Sequence, residues 1–390
     1  MLIFVFTNQR NMKDYWINRY YQKIFPELVQ EGKVLVIYGP RRSGKTELIK
    51  KHLSTFSGKI YIGNGDDMEL RDLISSQNTR RIITLLGNYD LVFIDEAQKI
   101  PGAGLGLKIL VDNAPNCKII ITGSSSLDLA RHTGEPLTGR QRIRVLFPIS
   151  VSELYEQFGG MNVNQMLEEL MIYGSYPEIV TSKSTEQRKE YLLTLRNSYL
   201  LKDIFELENI RNPALITDLL KMLAFQIGHE VSLSEVGSSL QVARQTIERY
   251  IDLLEKSFIL KKVTGFSQNL RSEVTKTARY YFYDNGVRNA VINNFNPLDM
   301  RNDTGMLWEN FMFIERMKIQ HYKQLYSNNY FWRTYDKKEI DHIEERDGKL
   351  FAFEFKWGSK KVKAPRLWKE TYPESEFQMV NKDNFLEFLI

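Results

Sequence analysis

Apolar residues recur along the first 150 positions in short runs bounded by charged or turn-forming residues: 34–38, 59–62, 90–94, 118–122 and 141–147. Runs of this length read as buried strands. Helical spacing lies between them. Residues 15–30 put Trp16, Ile17, Tyr20, Tyr21, Ile24 and Phe25 on one stripe, with Pro26 as a break or bend. Residues 68–86 suit two helices, and 101–113 a glycine-rich entry followed by a helix. This alternation predicts an α/β core.

Beyond it the pattern changes. Residues 150–210 are helical with breaks near Gly159-Gly160 and at 173–178, and are read as a small lid. Helices at 214–228, at 232 onwards (Ser232 as N-cap, Glu235 three residues on) and at 242–257 precede strands at 258–265 and 278–283. That order predicts a winged helix. Its third helix turns Ile247, Tyr250, Ile251 and Leu254 inward and Arg244, Gln245 and Arg249 outward. Arg271 and Lys276 fall near the wing tip.

A helix at 305–322 and strands at 330–335, 338–345 and 349–357 complete the chain, with Asp347-Gly348 as a two-residue hairpin turn. That turn pairs Arg346 with Lys349 and sets Asp341 opposite Glu354, Cβ atoms about 5 Å apart. Lys356 shares their face; Phe351, Phe353, Phe355 and Trp357 line the other. The expected organisation is a tail (1–14), an α/β core (15–150), a lid (151–212), a winged helix (213–284) and a C-terminal α/β region (285–390).

The first strand runs directly into Gly39-Pro40-Arg41-Arg42-Ser43-Gly44-Lys45-Thr46, and then into a helix. Strand, glycine-rich loop and helix is the context in which G-x-x-x-x-G-K-T cradles phosphates. Backbone N–H groups wrap the anion, Lys45 reaches the β- and γ-phosphates, and the Thr46 hydroxyl suits Mg²⁺. The third run ends in Asp95-Glu96. Asp95 is the expected second Mg²⁺ group and Glu96 the group that polarises the attacking water; at the strand's end the chain turns, so both face one crevice. The fourth run ends in Gly123-Ser124-Ser125-Ser126. Ser124 is the chosen γ-phosphate sensor, with Thr122 and Ser125 as competitors. Arg140 is the chosen arginine finger, in cis or from a neighbouring subunit, with Arg131, Arg142 and Arg144 as alternatives.

Composition changes this little. At 390 residues and 43% hydrophobic content the chain holds several globular domains. A net charge of +5 permits a polyanionic partner without demanding one. Cys117 is the lone cysteine and sits in an apolar run, so no disulfide framework exists, which fits a cytoplasmic protein. No apolar run is long enough to span a membrane. Residues 1–11 read as a tail or an extension before a second start at Met12.

Five stretches occur in order: the phosphate loop, Phe-Ile-Asp-Glu-Ala-Gln (93–98), Ile-Thr-Gly-Ser-Ser-Ser (121–126), Leu-Thr-Gly-Arg (137–140) and Phe-Pro-Ile-Ser-Val-Ser-Glu-Leu (147–154). On these the chain resembles the prokaryotic AAA-type ATPases with a C-terminal restriction-endonuclease-like domain, near the signal-transduction ATPases with numerous domains. The resemblance implies ATP and Mg²⁺ as ligands and ATP hydrolysis as the activity. It implies that Glu309, Asp341 and Glu354 bind a second metal, with Lys356 beside the attacking water. Opposed carboxylates repel, and a cation between them removes that cost. Arg244, Gln245 and Arg249 are the expected DNA contacts. A protein partner in place of DNA, and an oligomer, fit the same residues.

Overall fold

The computed structural model describes residues 16–123, 137–200, 212–267, 278–334 and 336–390. The expected sites Ser124, Ser125, Arg131, Arg271 and Lys276, and the tail 1–14, lie outside the described residues.

The strands β1 (Val34–Tyr38), β2 (Ile60–Asn64), β3 (Leu91–Asp95), β4 (Lys118–Gly123) and β5 (Gln141–Val145) form one sheet in the order β2-β3-β4-β1-β5. Every pairing in it is parallel. A parallel sheet is covered on both faces, and alternate residues of each strand serve the two covers. Leu35, Ile37, Leu91, Phe93 and Ile120 face the helices Tyr20–Leu28 and Lys45–Leu53. Val34, Val36, Val92, Ile94, Ile119 and Ile121 face the helices Met68–Ser75, Thr79–Leu86 and Ala103–Asn113. Pro26 lies within the first helix, which runs through it.

Helices Val151–Phe158, Gly160–Tyr173, Pro177–Thr181 and Thr185–Thr194 follow. The first begins with a full capping box between Ser150 and Glu153. Then come the helices Pro213–Phe225, Leu233–Ser239 and Arg244–Lys256, with strands β6 (Glu230–Val231), β7 (Leu260–Gly265) and β8 (Ala278–Phe282). The long helix Thr304–Lys323 precedes β9 (Asn328–Arg333), β10 (Glu339–Arg346), β11 (Lys349–Phe355) and β12 (Glu376–Val380).

These two groups of strands are one sheet, ordered β12-β11-β10-β9-β7-β8-β6. The joint is the parallel pair β7–β9, with Thr264 opposite Tyr330. The hairpin forms at Asp347-Gly348 with both residues at positive φ, and Arg346 pairs with Lys349 as the turn dictates. Phe353 and Phe355 pack on Phe388 of the C-terminal helix. A single hydrophobic core continues from the parallel sheet through the helices after it into the second sheet, so the C-terminal half packs directly on the α/β core.

Candidate functional site

The phosphate-loop segment leaves β1 at Gly39, whose φ is 148°. A Cβ there would lie 2.2 Å from the Leu146 carbonyl oxygen, so only glycine lets the loop pass beneath the end of β5. Gly44 caps the following helix in the left-handed region. Lys45 is buried, and its Nζ donates to the carbonyls of Gly39 and Pro40 at 2.9 and 2.8 Å. Ser43 is fully buried, and its hydroxyl has no hydrogen-bond partner among the described residues. Arg42, at positive φ, reaches over the Tyr191 ring.

β4 lies between β1 and β3, so the residue at its end touches both halves of the site. The last side chain of β4 before its terminal Gly123 is Thr122, fully buried, whose hydroxyl donates to Asp95 Oδ1. The Thr46 hydroxyl donates to Asp95 Oδ2 at 2.8 Å. The Glu96 amide donates to the Thr122 oxygen at 3.1 Å. Hydroxyl and carboxylate oxygens brought together from separate elements suit a hard cation such as Mg²⁺. The orphaned Ser43 hydroxyl in the glycine-bound loop suits a phosphate. The residues present therefore fit a Mg²⁺–nucleotide.

Glu96 is held in the left-handed region, at φ 52°. Such strain in a non-glycine residue persists only where its surroundings enforce it. Here Gly65 packs so closely that a Cβ on it would lie 2.2 Å from the Glu96 carbonyl oxygen. Gln98 Nε2 donates to Glu96 Oε2 at 2.5 Å, a tether that the sequence motif contains and the sequence reading passed over.

Arg140 is elsewhere. Its carbonyl accepts from the Val34 amide at the start of β1, while the loop leaves from the other end of that strand. Five residues of strand separate the two levels, about 17 Å. Its guanidinium pairs with Asp112 at 2.6 Å. Arg142 donates to Glu27 and Gln30, and Arg144 to Ile143 and Gln324. Arg140 therefore cannot reach the loop of its own chain, because it precedes a parallel strand whose far end carries the site. Arg140→Ala is expected to change steady-state phosphate release by the lone chain less than about twofold; a loss of 10³-fold, the size of an arginine-finger effect, would mean that a neighbouring copy inserts it.

The carboxylate cluster differs from expectation in one decisive residue. Arg279, on the fully buried strand β8, lies among the acids. Its Nη1 is 3.1 Å from Glu309 Oε1 and 3.8 Å from Asp341 Oδ1, and its Nη2 is 2.7 Å from Glu339 Oε2. Tyr281 donates to the same Glu309 oxygen at 2.7 Å. Asp341 Oδ2 accepts from the Phe355 amide at 2.8 Å, and Lys356 pairs with Glu354 Oε1 at 2.7 Å. The second oxygen of Glu354 is buried without a hydrogen-bond partner among the described residues.

Burial and the neighbouring Asp341 push the Glu309 carboxyl up to about 8 and the Glu354 carboxyl up to about 7. Among the described residues no three His, Cys, Asp or Glu side chains are placed to hold a metal ion. As arranged, Glu309, Asp341 and Glu354 face two cationic side chains, Arg279 and Lys356. A guanidinium stands where the opposed acids needed positive charge, so these residues do not fit a metal as they are arranged.

Arg244, Gln245 and Arg249 are exposed on one helix. Arg244 pairs with Glu248 at 2.8 Å, and Arg249 lies over Tyr250. No helix among the described residues is long and apolar enough to cross a membrane.

Comparison with known proteins gives three matched stretches. Residues 31–155 match the AAA domain, 164–298 a domain of unknown function (DUF8612) and 304–387 another (DUF4143). An uncharacterized protein of Mycobacterium tuberculosis is 27% identical over 332 residues, which cover 84% of this chain and 71% of that protein. One of Haemophilus influenzae is 25% identical over 381 residues, covering 92% and 88%. A solved structure, the Walker-type ATPase of Pyrococcus abyssi, is similar with a TM-score of 0.52 and 17% identity, over 72% of this chain and 97% of that one. At that identity the likeness is one of fold.

Proposed function

We propose that this chain, which carries an AAA-type P-loop ATPase domain at residues 31–155, is a Mg²⁺-dependent ATP hydrolase whose C-terminal half is a regulatory, partner-binding region. The observation that carries the first part is the convergence of Thr46 and Thr122 on Asp95, beside Glu96 and the loop lysine. Lys45 would exchange its two loop carbonyls for phosphate oxygens, and the loop amides with Ser43 would complete the cradle. Thr46 and Asp95 would hold Mg²⁺, which when bound neutralises charge on the β- and γ-phosphates. Glu96 would orient and deprotonate the attacking water once Gln98 releases it. Thr122 would sense the γ-phosphate through its contacts with Asp95 and Glu96, with Ser124, outside the described residues, as the other candidate.

For the C-terminal half, Arg279 favours a switch over a nuclease. The region would keep a winged-helix and endonuclease-like architecture while its acids serve as a buried ionic cluster. Arg244, Gln245 and Arg249 are exposed on one helix and would face that partner, whether DNA or protein. The test is phosphate release from ATP with Mg²⁺, run beside DNA cleavage with Mg²⁺ or Mn²⁺. Phosphate release without cleavage is expected. Cleavage that disappears in Asp341→Ala would replace the switch with an ATP-gated nuclease.

A further inference from the structure

Arg19 is buried at 4% exposure, just before the first helix, and binds four separate parts of the chain. Its Nη1 donates to the Ser43 carbonyl inside the phosphate loop at 2.5 Å. Its Nη2 donates to the Phe147 carbonyl at 2.5 Å, and to the Tyr322 hydroxyl at 3.4 Å. Its Nε pairs with Glu153 at 3.0 Å. Tyr322 stacks on Tyr20 with ring centroids 5.0 Å apart and meets Tyr21 edge-on.

Tyr322 belongs to the helix Thr304–Lys323, which also holds the stretch that follows β5. Glu315 accepts from the Val151 amide at 2.7 Å. Lys318 donates to the Ile149 carbonyl and the Ser175 hydroxyl at 3.2 and 3.1 Å. The same helix carries Glu309 of the ionic cluster, 13 residues and about 20 Å from Tyr322. Every one of Arg19, Glu153, Glu315, Lys318 and Tyr322 is buried. Groups paired in a dry interior have few alternative arrangements, so moving one moves its partners.

We infer that Arg19 is a positioning residue that sets the backbone of the phosphate loop and couples its ligand state to the helix Thr304–Lys323. The fork of the guanidinium is what the position requires. It offers five donors in a fixed plane, whereas a lysine amine is a single point and cannot span Ser43, Phe147, Glu153 and Tyr322 together. Nucleotide phosphates that fix the loop also fix the Ser43 carbonyl. Arg19 then holds Tyr322, and the helix is stabilised in turn.

This inference rests on the proposed binding of ATP, and the experiment separates the two. Amide hydrogen exchange of the full chain is followed with and without Mg²⁺ and a non-hydrolysable ATP analogue, in wild type, Arg19→Lys and Tyr322→Phe. Nucleotide affinity and melting temperature are measured alongside. In wild type, nucleotide is expected to slow exchange in 304–323 at least about fivefold, the low end of ordinary coupling between sites. In Arg19→Lys, which keeps the charge, the slowing is lost even at a nucleotide concentration that saturates the variant. Tyr322→Phe, which removes one hydroxyl, loses at least half of it. Equal slowing in all three proteins, even with a lowered melting temperature, would make Arg19 merely structural and overturn the inference. Nucleotide that binds wild type without slowing 304–323 overturns it as well. Wild type that binds no nucleotide ends the ATPase reading, and the inference with it.

Discussion

Replacing Lys45 with alanine is expected to weaken ATP binding at least about 100-fold, whereas Glu96→Gln keeps the affinity and loses about 10²–10⁴ in kcat. The two effects differ because the groups meet different parts of the substrate. Lys45 is a buried ammonium already within 2.9 Å of two loop carbonyls, so it needs no new burial to bind phosphate. A hydrogen bond to a charged group contributes about 1.5–3 kcal/mol, and two to a polyphosphate exceed the roughly 2.8 kcal/mol that 100-fold requires. Glu96 lies at the end of β3 outside the loop, so its loss leaves the cradle intact. Removing a general base costs the 10²–10⁴-fold that such groups supply. Equilibrium binding of a fluorescent ATP analogue and steady-state phosphate release separate the two. Full activity in both variants would leave the Asp95 constellation without its proposed role.

Arg279→Met is expected to destabilise the chain by about 3–5 kcal/mol, the cost of leaving buried charges without a partner, and to do so more at pH 8 than at pH 5.5. Glu309, Glu339 and Asp341 all face this one guanidinium. The Glu309 carboxyl sits at about 8 when folded, raised first by burial and then by Asp341, with Arg279 opposing the rise. A carboxyl raised above its unfolded value binds more protons in the folded state. Its stabilising share is therefore present below the unfolded value, near 4.5, and is lost as pH rises through 8. Taking Arg279 away raises the carboxyl further and widens that loss. Acid protonates the acids and lets the variant recover. Melting temperature across this pH range measures the effect, and Glu309→Gln added to Arg279→Met should recover part of it. A deficit of the same size at every pH would show that packing of Arg279 on Phe331, not its charge, holds the cluster.

The features that a sequence reader could find are local ones. Gly39–Thr46 is contiguous, and its loop geometry follows from glycines at fixed offsets. Asp347-Gly348 sets the hairpin register because a two-residue turn leaves one way to pair the flanking strands. Alternation within β11 sets Glu354 on the face opposite to Phe353 and Phe355. Arg140 shows where locality stops. Its neighbours identify the strand, but only the parallel direction of β5 beside β1 puts it at the end away from the loop. Arg279 did leave a trace, a single charge inside the apolar run Ala-Arg-Tyr-Tyr-Phe. A cation in a buried strand requires an acid, yet nothing nearby in sequence says which.

The chain's own order of residues determined the phosphate-loop elements, most of the helices and strands, and the register and faces of the C-terminal hairpin, because spacing along a few turns or strand steps decides these. The tertiary structure alone decided that Thr122 lies between the halves of the site, that Arg279 stands among the acids, and that Arg19 joins the phosphate loop to Tyr322, 303 positions later. Those contacts depend on strand order and on the packing of one half of the chain against the other. A buried charge takes whichever partner the fold brings within about 3 Å, and distance along the chain has no part in that choice.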